Sequence, residues 1–240
     1  MLSYQLVLIA VISLLLTSTV NAICAPWPAN ENHCNGAIDK IIFQDGKLPM
    51  IETEVAAVSD TCSLIVINSH QQVVTKDLIK SGLSELFKQC HGKGGLVEVP
   101  SNRKVKVAVK ARAPAGTQWE AWNANAELNK PYCYLPKGDP EVKLKDDCIK
   151  AYNQIPTDAQ GRLTDKSDHP LTLTVMVVVF GSCSLAFTST DGSVFQLNKK
   201  DSTQIITRMI QECDRKHGSV NLKGTQGPNG RVLVHTYATK

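Results

Sequence analysis

Hydrophobic positions along the chain follow two alternating periods. Ala37, Ile38, Ile41 and Ile42 keep the three-to-four spacing of a helix face, and Leu78, Ile79, Leu83, Leu86 and Phe87 line one side of a second helix. Thr75 stands where an N-cap hydroxyl is useful, and Gly92 where that helix must stop. Between the two helices, residues 55–68 (VAAVSDTCSLIVIN) are rich in β-branched side chains and predict a strand. Two shorter strands are predicted at Leu96–Val99 and Val105–Val109, joined by Pro100, Ser101 and Asn102. The same order then returns. Residues 171–180 (LTLTVMVVVF) predict a buried strand, Ile205, Ile206, Met209 and Ile210 a long helix, residues 227–230 (GPNG) a turn and residues 231–238 a last strand. With an extra edge strand around Cys24 or Cys133, the fold class is α+β, a small sandwich of two helices on a mainly antiparallel sheet, made twice.

The repetition is visible residue by residue. HCNGAIDKII around Cys34 is answered by DCIKAYNQIP around Cys148, and Gly46, Lys47 and Leu48 by Gly161, Arg162 and Leu163. The triplet Cys62, Ser63, Leu64 recurs as Cys183, Ser184, Leu185. A period of about 115 residues is far longer than that of solenoid repeats, so each copy is expected to be a domain with its own core. The expected units are residues 23–112 and 133–240, with a linker over 113–132.

Residues 6–16 (LVLIAVISLLL) have the length of a signal-peptide core and are too short for a membrane span; Val20, Asn21 and Ala22 offer a small-residue cleavage site. A signal peptide is therefore expected over residues 1–22, and a secreted, extracellular mature chain. Secretion decides how the eight cysteines are read. Cys24, Cys34, Cys62 and Cys90 in the first copy match Cys133, Cys148, Cys183 and Cys213 in the second, which implies two disulfides per repeat. The pairing expected is Cys34 with Cys90 and Cys148 with Cys213, start of one helix to end of the other, leaving Cys24 with Cys62 and Cys133 with Cys183. There is no CxxC, and His33 beside Cys34 or His91 beside Cys90 is not a zinc ligand set, so no metal or cofactor is expected.

Catalytic patterns are thin: no GxSxG, no phosphate-binding loop, no HExxH and no GxGxxG. The six histidines are scattered, and Asp146 with Asp147 stands before a helix start, where carboxylates serve as caps. An enzyme is not expected. A net charge of +4 does not argue for nucleic acid. Locally, Val105, Val107 and Val109 alternate with Lys104, Lys106 and Lys110, with Arg112 beyond, so one strand face is basic. That stripe reads either as a solvated edge strand whose lysines block edge pairing or as an anion-binding surface. The linker holds Trp119 and Trp122, two of the three tryptophans, either packed between the domains or exposed as an anchor for a partner.

A signal peptide, a cysteine opening the first helix (HCNGAI, DCIKAY), a strand cysteine (DTCSLIV, GSCSLAF) and a cysteine closing the second helix resemble the killer-toxin-like and necrosis-inducing-factor-like secreted proteins of fungi. The resemblance spans both repeats and implies an α/β-sandwich fold and a toxin or host-directed effector. The linker holds no dibasic processing site, which argues against cleavage into two subunits. The functional expectation is a secreted, monomeric, non-enzymatic virulence effector of a plant-associated fungus, acting on a host plant protein such as an immune component, with entry into host cells as one route. Partner contact is assigned to Lys104, Lys106, Lys110, Arg112, Trp119 and Trp122, with no nucleic acid and no stable membrane insertion. The alternative is a killer toxin acting on a membrane or channel of competing cells.

Overall fold

A computed structural model describes residues 21–164 and 173–239. The signal peptide expected over 1–22 lies almost wholly outside the described residues, as do residues 171 and 172 of the apolar run at 171–180. In the first repeat the order is β1 (Ile23–Pro28), α1 (Glu31–Ile38), β2 (Glu54–Ser59), β3 (Cys62–Ile67), α2 (Lys76–Cys90), β4 (Lys93–Val99) and β5 (Asn102–Ala111). The second follows with β6 (Tyr132–Tyr134), α3 (Lys145–Asn153), β7 (Val175–Phe180), β8 (Cys183–Ser189), α4 (Lys199–Cys213), β9 (His217–Leu222) and β10 (Val232–Ala238). Each repeat forms one five-stranded antiparallel sheet, ordered β1-β4-β5-β3-β2 and β6-β9-β10-β8-β7. The two orders are the same order. The chain is a tandem duplication of a disulfide-stabilised α+β unit, with two separate cores.

Helix faces and strand faces meet as their periods require. Ile79, Leu83 and Leu86 of α2 pack with Val97, Val105, Val107 and Val109, while Ile206, Met209 and Ile210 of α4 pack with Leu185, Phe187, Val232 and Val234. Thr75 accepts the Leu78 N–H as the N-cap of α2. Five expectations are corrected. Helix α1 ends at Ile38, so Ile41 is buried beyond the helix and Ile42 is half exposed. The single strand read over 55–68 is a hairpin, because Asp60 takes a left-handed φ of 47° and Ser59 pairs with Cys62 across a two-residue turn. Strand β7 is an edge strand with Val175, Val177 and Val179 exposed, since it pairs only with β8. Strand β5 is central, held by β4 on one side and β3 on the other, so its lysines do not guard an edge. Asp147 does not cap a helix: its carboxylate accepts Ser182 N–H at 2.8 Å and Ser182 Oγ–H at 2.9 Å, tying α3 to the β7–β8 turn.

The cystines follow from the strand order. Cys24 sits opposite Gly95 on β4, the strand that α2 feeds, so it meets Cys90 at the end of α2. Gly95 has a φ of 151° and a Cβ there would lie 2.3 Å from the Ile23 carbonyl oxygen, so this close approach of β1 needs glycine. Helix α1 lies on β2 and β3, which brings Cys34 to Cys62. The second repeat pairs Cys133 with Cys213 and Cys148 with Cys183 in the same way. All four bridges stay within their repeat, but the pairing is not the one expected from helix ends. That expectation joined α1 to α2, and it is β1 beside β4 that takes Cys90. The loops span 66, 28, 80 and 35 residues, and each cross-link is worth about 3.5–4.5 kcal/mol in the chain-entropy account.

Candidate functional site

Helices cover one face of each sheet, and the other faces turn toward the joint between the repeats. On β5 the open face carries Lys104, Lys106, Ala108 and Lys110, while Val105, Val107 and Val109 point to the core. Lys106 Nζ stands 3.6 Å from Glu98 on β4. Lys110 faces Glu54, whose carboxyl burial pushes up and Lys110 partly brings back down. Lys104 and Arg112 are exposed at opposite ends of the strand. The basic stripe is therefore divided, and only Lys110 reaches the cavity described next.

Residues 113–132 are not a loose linker. Asn123 clamps Ala113 with two hydrogen bonds, donating from Nδ2 to its carbonyl at 3.0 Å and accepting its N–H at 2.9 Å. Asn221 on β9 donates from Nδ2 to the Ala121 carbonyl at 2.8 Å and accepts the Asn129 N–H at 2.8 Å. Arg231 donates to the Ala126 carbonyl and Arg208 to that of Asn129. Ala121, Ala126 and Tyr132 form a small apolar cluster with Leu233, which is fully buried. The segment is thus folded down onto the open face of the second sheet. It holds Trp119 and Trp122 at 57% and 44% exposure, and the Trp122 ring lies 5.9 Å from His235 on β10. Both tryptophans pack on one side and stay open on the other.

Two cavities flank them. A cleft of about 450 Å³ lies between the repeats, bounded by Glu54, Ser63, Ile65 and Lys110 on the first sheet and by Thr188, Asn221 and Arg231 on the second, with both tryptophans in its wall. A second pocket of about 420 Å³ lies on the far side of the tryptophans, against β6, β9 and β10. Both are of ligand-pocket size.

Beside the cleft the two repeats are joined by a polar latch that periodicity did not reveal. Glu52 is fully buried, and its two carboxylate oxygens accept the Asn229 backbone N–H and Nδ2–H, each at 2.8 Å. Asn229 also donates from Nδ2 to the Ile42 carbonyl at 2.9 Å and accepts its N–H at 2.7 Å. The Asp191 carbonyl accepts the N–H groups of Thr53 and Glu54 at 2.8 and 3.1 Å, and its buried carboxylate is held by Ser189 and Ser193. Burial raises the Glu52 pKa, Asn229 opposes the rise and the neighbouring Asp191 adds to it. The GPNG turn, legible in the sequence, is the second repeat's part of this latch; nothing in the local pattern marks Glu52. Among the described residues, no group of three or more His, Cys, Asp or Glu side chains is placed to hold a metal, and no helix is long and apolar enough to cross a membrane.

No protein-family model matches the chain. No curated protein matches it. Among solved structures, the chain is similar to the tandem DUF26 ectodomain of the Arabidopsis thaliana cysteine-rich receptor-like protein PDLP5, at 10% identity over 92% of this chain and 99% of that one, with a TM-score of 0.27. It is likewise similar to the tandem DUF26 ectodomain of PDLP8 from the same plant, at 9% identity over 92% and 98%, with a TM-score of 0.30. No residue role passes from those proteins to this chain. The tandem, disulfide-rich architecture read from the residues is present, whereas membership of a killer-toxin-like or necrosis-inducing-factor-like family is not shown.

Proposed function

We propose that the protein is a secreted, non-enzymatic binding protein, a host-directed effector of a plant-associated fungus that grips a plant protein through the linker tryptophans and the cleft beside them. The observation that carries this reading is the pinned segment itself. Trp119 and Trp122 are half exposed on a backbone tied to β9 by Asn221 and to the start of β10 by Arg231, the residue before it. An aromatic anchor held rigid before binding loses little entropy on contact, and tryptophan dominates binding hot spots. Lys110 and Arg231 in the cleft add charge steering, with Arg112 exposed just beyond Lys110; Lys104, at the other end of β5, extends the basic stripe away from the cleft.

The test is co-purification of the mature protein with a plant extract, alongside its effect in plant tissue. Trp119→Ala with Trp122→Ala is expected to leave the fold intact and to lower partner capture at least tenfold, a typical hot-spot loss. A folded double variant with full capture and full tissue response removes the reading. Killing of yeast or smut cells by the purified protein would instead support a toxin.

A further inference from the structure

We propose that the second pocket, on the side of the tryptophans away from the cleft, is a binding site for a methylated ammonium group. It is lined by Trp119, Trp122, Tyr134 and Tyr237, with Asp139 and, among the described residues, no lysine or arginine. In a chain of net charge +4, whose inter-repeat cleft is lined by Lys110 and Arg231, that absence of lysine and arginine sets the pocket apart.

The rings are arranged in two contacting groups rather than scattered. Trp122, His235 and Tyr237 follow one another at 5.9 and 5.8 Å between centroids, and Tyr134 meets His217 edge-on at 5.7 Å. His217 is itself fixed by a 3.1 Å hydrogen bond from Nε2 to the Pro140 carbonyl. Aromatic faces carry negative quadrupole density and attract a cation that has shed part of its water, which a methylated ammonium does more readily than a primary one. Asp139 supplies a full charge of the matching sign. Burial, together with His217 beside it, pushes the His235 pKa below its ordinary 6.5, so at neutral pH this ring adds no competing positive charge. An anion would meet the Asp139 carboxyl and no lysine or arginine in this lining.

This inference goes beyond partner capture at the cleft, because Tyr134, Asp139 and Tyr237 line this pocket alone. The probes are choline and its uncharged isostere 3,3-dimethylbutan-1-ol, titrated into the full chain and followed by tryptophan fluorescence. Choline is expected to bind roughly tenfold more tightly than the isostere, the margin of one to two good cation–π contacts. Tyr237→Leu and Asp139→Asn should each weaken choline binding by about threefold to tenfold and leave the isostere unchanged at Asp139→Asn. Retention on phosphatidylcholine vesicles, competed by choline, would identify a lipid headgroup as the source; binding in solution without retention would identify a free ligand. Equal affinity for choline and the isostere overturns the proposal, as does a choline response that both folded variants keep, or no response to choline and no vesicle retention at all. Because the two variants lie outside the cleft, their partner capture reports separately on the proposed function.

Discussion

Strands β5 and β10 occupy the same place in their sheets, yet their open faces have opposite fates. Cys62 faces Ala111 as Cys183 faces Ala238, so Lys110 corresponds to Tyr237, Ala108 to His235 and Lys106 to Leu233. In the first repeat that face is lysine-bearing, with Lys104 and Lys110 exposed around a buried Ala108; in the second it is apolar and aromatic, and the 113–132 segment lies on it until Leu233 has no exposure. The core faces, Val105, Val107 and Val109 against Val232, Val234 and Thr236, stay buried in both. Duplication kept what packs against helices and freed what does not.

If the scaffold is truly common to both copies, removing equivalent cystines should cost both alike. Cys34→Ser with Cys62→Ser, and separately Cys148→Ser with Cys183→Ser, are each expected to lose about 3.5–4 kcal/mol, read from denaturant unfolding. A loss confined to one repeat would break the comparison at its root. The open faces should differ sharply instead. Leu233→Ala is expected to cost about 2–4 kcal/mol and to shift the fluorescence of Trp122 as the covering segment loosens. Lys106→Ala, at the corresponding site, should change stability by no more than about 0.5 kcal/mol, because its pairing with Glu98 is exposed.

A smaller effect sharpens the joint between the copies. The Glu52 carboxyl is raised above its ordinary 4.5 by burial, and Asp191 adds to the rise. Between 4.5 and that raised value the folded chain holds a proton that the unfolded chain has released, so stability should fall as pH rises through this window. Glu52→Gln is expected to flatten that slope. A slope unchanged in the variant would place the titration elsewhere. The least effect is expected from His235. Its pKa is lowered, so the unfolded chain protonates first and stability should decline as pH drops below 6.5, a decline that His235→Phe should remove.

What could be read from the residues follows from what each signal encodes. Alternation of valine and lysine placed both faces of β5 correctly, because side-chain period is local. Its position in the centre of the sheet was not legible, since strand order depends on partners far along the chain. The cystine pairing failed for the same reason: Cys24 to Cys90 needs β1 beside β4. The hairpin at Asp60 was missed because Asp-Thr is not among the strong two-residue turn pairs, whereas Gly181 in the second copy makes the same turn with a residue suited to it. Trp119 and Trp122 stood out by rarity. Glu52 did not, since a buried carboxyl is recognised only from the distant Asn229 that satisfies it.

The stitching of residues 119–132 onto β9 and β10 also moves the place where the molecule divides. By sequence homology the second copy begins near Cys133, but a fragment started there would leave Leu233 facing water and Asn221 and Arg231 without the carbonyls they hold. The seam lies earlier, between Arg112 and Ala113, ahead of the clamp that Asn123 places on Ala113. A protease nicking there would leave a first half that ends with its sheet and a second half that keeps its own cover, still held together by the Asn229 and Asp191 contacts.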